Sequence, residues 1–109
     1  MTGDSPPMFE DDVLDPDARA LIPLFVSTRR TDLAELRAAL DVGDLELVRQ
    51  VGHRIRGTAQ SYGFIELGEL ATALERGSVA RDVAEVEQLV ARIAQWVAWL
   101  EGSAGASNS

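Results

Sequence analysis

Apolar residues recur at intervals of three and four along most of the chain, which is the spacing of one face of an α-helix. No segment shows the sustained two-residue alternation, rich in β-branched residues, that is typical of a strand. Short polar or glycine-containing stretches separate four such helical segments. The pattern therefore predicts an all-α protein, and the short connections favour an antiparallel up-down four-helix bundle.

Residues that favour helix ends mark the borders of the four segments. The expected helices span about residues 17–41, 45–62, 65–76 and 82–101. A glycine follows each of them, at Gly43, Gly63, Gly77 and Gly102. Asp44 and Asp82 are expected to cap the second and fourth helices, and a bend is allowed where Arg29, Arg30 and Thr31 interrupt the apolar stripe of the first.

The two ends of the chain differ in composition from this body. Residues 1–7 contain glycine and two prolines and are expected to form a disordered arm, whereas a short extra helix is allowed around residues 8–14. Residues 102–109 are small and polar and are expected to be a disordered tail. The bundle is then one domain over residues 8–101. The absence of a secretory signal pattern and of a long apolar run favours the cytoplasm.

Composition excludes several kinds of chemistry. The 109 residues include no cysteine and one histidine, so thiolate nucleophiles, Cys-based zinc sites and multi-histidine metal sites are not expected. The formal charge of -8 argues against nucleic acid or an anionic membrane as the main partner. No glycine-rich nucleotide loop is present, so phosphorylation from ATP is not expected either.

The single histidine lies on the second predicted helix, one residue away from its apolar stripe. His53, Arg56, Gly57 and Gln60 occupy positions i, i+3, i+4 and i+7, and Arg49 extends this stripe backwards by one turn. His53 is therefore expected to be accessible to solvent. Gly57 has no side chain to obstruct a group that approaches the imidazole.

Basic residues surround this histidine in the sequence. No acidic residue lies between Glu46 and Glu66, whereas Arg49, Arg54 and Arg56 are all basic, so a local charge of +3 is expected in an acidic protein. Guanidinium groups attract phosphoryl oxygens through charge-assisted hydrogen bonds. The residues thus predict an imidazole that carries or attacks a phosphoryl group, with cationic support.

The run HRIRGTAQSYGF at residues 53–64 resembles the signature of histidine-containing phosphotransfer (HPt) domains. The family pattern is a histidine, an apolar residue, a basic residue and glycine, followed by a second glycine and spaced leucines. The matching leucines and the residues around them are Leu36, Leu40, Gly43, Asp44, Leu67, Leu70, Leu74 and Glu75. The resemblance covers about residues 14–100.

This resemblance implies a phosphoryl carrier of multistep two-component signalling rather than an enzyme. His53 would take a phosphoryl group from an aspartate of one response-regulator receiver domain and give it to another. Arg56 would neutralise phosphoryl charge, and Gln60 would give polar support. Residues expected to contact the partner are Arg49, Arg54, Gly57 and Ser61. The expected partners are receiver domains and a hybrid or sensor histidine kinase; magnesium belongs to the receiver, and the chain itself, expected to be a monomer, needs no cofactor.

Other interpretations of the same residues stay open. The bundle would then be a binding module that docks on a receiver or another helical partner without carrying phosphate, or a structural bundle that oligomerises through Trp99. Arg49 and Arg54 also fit an ordinary solvated face, and Thr58 and Ser61 fit local bonds to the backbone. Glu75 is expected to face solvent or to pair two helices, and Trp96 and Trp99 cannot both lie deep in the core.

Overall fold

The computed structural model of the protein describes the backbone of residues 20–106 and the side chains of residues 20–103. It contains four helices and, within those residues, no strand. They are α1 (Ile22–Asp41), α2 (Leu45–Tyr62), α3 (Ile65–Ala80) and α4 (Val83–Ala106). The expected arm at residues 1–7 and short helix at residues 8–14 lie outside the described residues.

The four helices form a closed bundle. Helix α1 packs against α2 and α4, and α3 packs against the same two helices on the other side. The connections, at residues 42–44, 63–64 and 81–82, are so short that consecutive helices must run antiparallel. The predicted all-α, up-down four-helix architecture is therefore confirmed.

The helix ends around α2 follow the predicted capping chemistry. Gly43 and Gly63 adopt left-handed φ angles of 72° and 75°, which glycine reaches without steric cost. The Asp44 side chain accepts a hydrogen bond from the Leu47 backbone N–H at 3.1 Å. Asp82 does the same for the Glu85 N–H at 3.2 Å, at the start of α4. These local signals fix both ends of α2, the helix that carries the histidine.

Two predicted helix ends are wrong. Helix α3 does not stop at Gly77 but continues to Ala80, and Arg81 takes the left-handed position with φ 59°. Gly77 is buried within the helix, where a Cβ atom would lie 3.2 Å from Val86 Cγ2. The missing side chain at Gly77 thus lets α3 and α4 pack closely, and this residue does not end the helix.

Helix α4 is also longer than predicted, because it passes through Gly102 and ends at Ala106. The φ angle of Gly102 is not left-handed. A glycine inside a helix lowers the stability of that helix by only about 1 kcal/mol relative to alanine. The first part of the predicted tail at residues 102–109 is therefore helical. Helix α1 runs without interruption through residues 29–31, and its predicted start at residue 17 lies outside the described residues.

The core fills the space between the four helices with aliphatic side chains. Its largest fully buried members are Phe64, Leu36, Ile55, Leu67, Leu74, Ile93, Leu100, Val48, Val51, Val86 and Val97. Burial of apolar area of this kind is the main stabilising term in a small domain. It also holds α2 rigidly on its inner side, so the outer side can present functional groups.

An aromatic cluster closes the bundle where α2 ends and α3 begins. Phe25 lies 4.6 Å from Tyr62 and 5.1 Å from Phe64, between ring centroids. Phe64 continues to Trp96 at 5.1 Å, and Trp96 to Trp99 at 6.0 Å. Trp96 is buried and Trp99 is half-buried, which confirms that only one of the two tryptophans reaches the deep core.

A buried ion-pair network joins α1 to α2. It includes the part of α1 in which the sequence allowed a bend. Arg29 and Asp32 pair at 2.8 Å, and each side chain is only 3% exposed. The other carboxylate oxygen of Asp32 accepts from Arg54 of α2 at 2.8 Å, and Glu35 pairs with the same guanidinium. The hydrogen bond to Asp32 raises the pKa of Arg54 above its ordinary value. Asp32 therefore connects the two helices through charge.

Candidate functional site

His53 lies on the outer face of α2, directly beyond the buried face formed by Gly52 and Ile55. Its side chain is 63% exposed, which confirms the accessibility predicted from the sequence. Among the described residues, its two polar contacts are both made through Nδ1. Arg56 Nη2 lies 3.0 Å from that atom and Glu75 Oε2 lies 3.6 Å from it. Both neighbours thus engage one edge of the ring.

Glu75 is a member of this site that the sequence interpretation did not identify. It comes from α3, its side chain is 19% exposed, and Oε2 lies 2.9 Å from Arg56 Nε. This oxygen is buried and forms an ion pair with Arg56. The one available signal was its place after Leu74 in the run of matching positions. The expectation that it pairs two helices is confirmed.

Gly52 explains why Glu75 reaches the histidine. A Cβ atom at position 52 would lie 3.3 Å from Leu74 Cδ2, 3.4 Å from Glu75 Cγ and 3.5 Å from the Ala71 carbonyl oxygen. The missing side chain therefore lets α3 approach α2 closely. Gly52 is a packing residue that brings Glu75 beside His53, rather than an opening for a partner.

We expect Gly52→Val to lower the free energy of unfolding by about 1–3 kcal/mol, because a branched side chain here must push α3 away from α2. Thermal unfolding followed by circular dichroism measures this loss. Gly57→Val is the control, since nothing lies within 4 Å of a Cβ atom at position 57. Equal stabilities for the two variants would contradict the close approach.

The other face residues surround His53 in an open arrangement. Gly57 lies one turn along, and the space where its side chain would stand is empty. Gln60, a further turn along, is exposed and lines a groove of about 500 Å³ between α2 and α3. Ser61 donates to the Gly57 carbonyl oxygen at 3.2 Å, and Thr58 to that of Arg54 at 3.0 Å. The predicted local bonds of these two hydroxyls are confirmed.

The predicted +3 charge around His53 is wrong, because every arginine of α2 has an acidic partner. Arg49 forms two hydrogen bonds with Glu46 of the preceding turn, at 3.0 and 2.6 Å. Arg54 turns away from His53 towards Asp32 and Glu35 of α1. The ionic partner of Arg56 is Glu75. Counting charges along one helix missed the carboxylates that neighbouring helices supply, and only Arg56 contacts the imidazole.

The pair of Arg49 and Glu46 has a measurable signature. Hydrogen bonds from Arg49 lower the pKa of Glu46 to about 2. The folded pKa lies below the ordinary value, so this pair stabilises the fold above pH 4.5 and loses its effect as the pH falls towards 2. We expect the Glu46 carboxyl ¹³C shift to titrate with a midpoint near 2. In Arg49→Gln the midpoint should rise; an unchanged midpoint would contradict the pairing.

Comparisons with known proteins agree with this geometry. The family model described as Hpt domain matches residues 20–99, which is most of the chain. The chain belongs to the Hpt domain family. The solution structure of the histidine-phosphotransferase (HPt) domain of Escherichia coli YojN matches with a TM-score of 0.76 and 23% identity, over 92% of this chain and 86% of that one. This neighbour supports the fold. No curated protein matches the sequence.

Membership of the Hpt family identifies a histidine phosphotransfer domain, whose members carry phosphoryl groups rather than catalyse reactions of their own. No helix of this Hpt domain, within the described residues, is long and apolar enough to cross a membrane. Within the same residues, no three histidine or acidic side chains are grouped as a metal site would require. Arg56 contacts the His53 ring, and Gln60 is exposed two turns further along the same helix.

Proposed function

We propose that this Hpt domain relays a phosphoryl group between aspartates of response-regulator receiver domains, with His53 as the carrier. The observation that supports this most is an exposed imidazole with an arginine 3.0 Å from one nitrogen, on a helix face that Gly57 leaves open. An unpaired ring nitrogen can act as a nucleophile towards phosphorus. Family membership and this geometry support the same chemistry.

The transfer itself is a substitution at phosphorus. The lone pair of His53 Nε2 forms a P–N bond while the P–O bond of the receiver's aspartyl phosphate breaks, and the aspartate leaves as a carboxylate. The reverse step at another receiver returns His53 to its free form. Arg56 is half-buried beside the ring and carries a guanidinium that can donate to phosphoryl oxygens. Gln60 is exposed on the same stripe and can donate through its amide.

The chain acts here as a carrier without a cofactor of its own, and the magnesium ion that the reaction needs is supplied by the receiver. The receiver also contributes its aspartate and docks on the face around Gly57, with Arg49 and Ser61 at its border. A hybrid or sensor histidine kinase would supply the first receiver with phosphate. We place the protein in the cytoplasm, where these partners work, and expect it to act as a monomer.

The test is incubation of the full chain with a receiver that carries a radiolabelled phosphoryl group, followed by addition of a second receiver. Label should move to the chain and then onwards. It should be labile in acid and stable in alkali, as a phosphoramidate is, and His53→Gln should take up none. The variant Thr58→Ala should label normally. A stable complex of the chain with the receiver, without any label on His53, would show a binding module instead.

A further inference from the structure

We propose that a groove between α3 and α4 is a docking site for an amphipathic helix of a partner protein, separate from the face that carries His53. This α3–α4 groove is formed by residues 65–73 of α3 and 89–92 of α4, and its volume is about 580 Å³. The helix that fits it has an apolar stripe, basic residues on the flank that faces α3, and an acidic residue on the flank that faces α4.

The shape of the α3–α4 groove favours a helix as the occupant. Its α3 wall extends from Ile65 to Ala73, which is about 12 Å or two helical turns. Leu70 and Leu89, which also line it, are only 6% and 5% exposed, so both belong to the packed core. A groove with an apolar floor between two helices accepts the apolar face of a third helix, whose anchors recur at i, i+3, i+4 and i+7.

Ile65 gives the α3–α4 groove an exposed apolar rim. It is the first residue of α3 and is 67% exposed. An aliphatic side chain in water gains free energy when a partner covers it, so Ile65 is the expected anchor contact. Val79 is 71% exposed on the same helix but does not line the groove. It is therefore a matched control for Ile65.

The charges on the two walls determine which helix fits. Glu66 and Glu69 lie on the α3 wall, and Arg92 lies on the α4 wall. Within the described residues, no ion pair joins any of these three to another side chain, whereas every arginine of α2 has an acidic partner. Unpaired carboxylates attract lysine or arginine, and an unpaired guanidinium attracts a carboxylate. A helix with basic residues on one flank and an acidic residue on the other complements both walls.

The α3–α4 groove and His53 lie on different sides of α3. Helix α3 packs against α2 on one side, where Glu75 reaches His53, and against α4 on the other, where the groove lies. A helix in the groove therefore leaves the face around Gly57 open. A docked protein can then hold the domain while receivers exchange phosphoryl groups at His53, a consequence that rests on the proposed function.

Binding of two synthetic helical peptides to the full chain tests the charges. Both have leucines at i, i+3, i+4 and i+7; the first has lysines on one flank and glutamates on the other, and the second has lysines on both. By fluorescence anisotropy, the wild type should bind the first at least about threefold more tightly, because Arg92 repels a lysine flank. Arg92→Glu should reverse this preference, and Arg37→Glu, the same charge change at an exposed position of α1, should keep it. Equal affinities for the wild type, or no binding, would overturn the proposal.

The position of the first peptide on the chain tests the groove itself. Ile65→Ser should weaken its binding about fivefold or more, whereas Val79→Ser should not, with unchanged circular dichroism in both variants. In ¹⁵N–¹H spectra, the peptide should shift the amide signals of residues 65–73 and 89–92. Shifts centred on residues 53–60 would refute a site separate from the histidine.

Phosphotransfer in the presence of the first peptide tests whether the two surfaces are independent. At saturation, the peptide should leave the rate of label transfer from a phosphorylated receiver to His53 unchanged. Loss of transfer with the peptide bound would contradict this independence. If no label reached the chain even without peptide, the proposed function would fail, while the peptide affinities would still decide whether the groove is a docking site.

Discussion

Replacement of Asp32 by alanine is expected to lower the free energy of unfolding by about 3 kcal/mol or more. The change leaves the guanidinium of Arg29 buried without its carboxylate, and removal of one partner from a buried pair is strongly destabilising. It also removes the bond that ties Arg54 of α2 to α1. Urea unfolding followed by circular dichroism measures the loss.

Glu35→Ala is the matched control for this variant, because Glu35 binds the same Arg54 from the neighbouring turn but is 39% exposed. An exposed ion pair contributes at most about 1 kcal/mol. The two losses should therefore differ clearly. If Asp32→Ala lost no more stability than Glu35→Ala, the buried network would not be the connection between α1 and α2 that its distances indicate.

Gly57→Leu is expected to keep the fold stable but to slow phosphotransfer. Nothing lies within 4 Å of a Cβ atom at this position, and leucine is a better helix former than glycine by up to about 1 kcal/mol. The new side chain stands one turn from His53, on the face where we propose that the receiver docks. We expect transfer from a phosphorylated receiver to fall about tenfold or more, which is about 1.4 kcal/mol in the barrier.

Gly102→Leu on α4 separates these two effects. Position 102 is likewise helical and open, but it lies on another helix. This variant should keep both the stability and the transfer rate of the wild type or improve the stability slightly. Loss of stability in Gly57→Leu, or an undiminished transfer rate, would contradict an open docking face at Gly57.

The architecture and the helix that contains His53 could be predicted from the sequence because their signals are local. The apolar stripe of α2 has helical spacing, and the side-chain cap at Asp44 and the left-handed Gly63 fix its two ends. The position of His53 relative to that stripe gives its exposure directly. None of these inferences requires knowledge of which helices are neighbours.

The errors concern features that depend on contacts between helices. Glycine is typical of a helix end, yet Gly77 is buried against Val86, and Arg81 takes the left-handed position instead. Arg29 and Asp32 interrupt the apolar stripe of α1, but they satisfy each other in the interior. Their spacing of three residues was a usable signal for such a pair.

The predicted charge around the histidine is wrong for the same reason, because it depends on contacts between helices. The arginines of α2 lie close together in sequence, whereas the carboxylates that bind Arg54 and Arg56 come from α1 and α3. The place of Glu75 beside His53 depends on how closely α3 approaches Gly52, which is a tertiary distance. Sequence spacing identified the exposed histidine and the arginine that contacts it, but not the carboxylate that pairs with this arginine.

The most direct test of the central claim is to find the phosphoryl group on the chain itself. After reaction with a phosphorylated receiver, intact mass spectrometry of the wild-type chain should show one added phosphoryl group. The ³¹P NMR spectrum should show a phosphoramidate signal, from phosphorus bonded to a nitrogen of His53. The His53→Gln chain should show neither. A phosphoryl group on a serine or threonine, or an equal adduct on His53→Gln, would contradict His53 as the carrier.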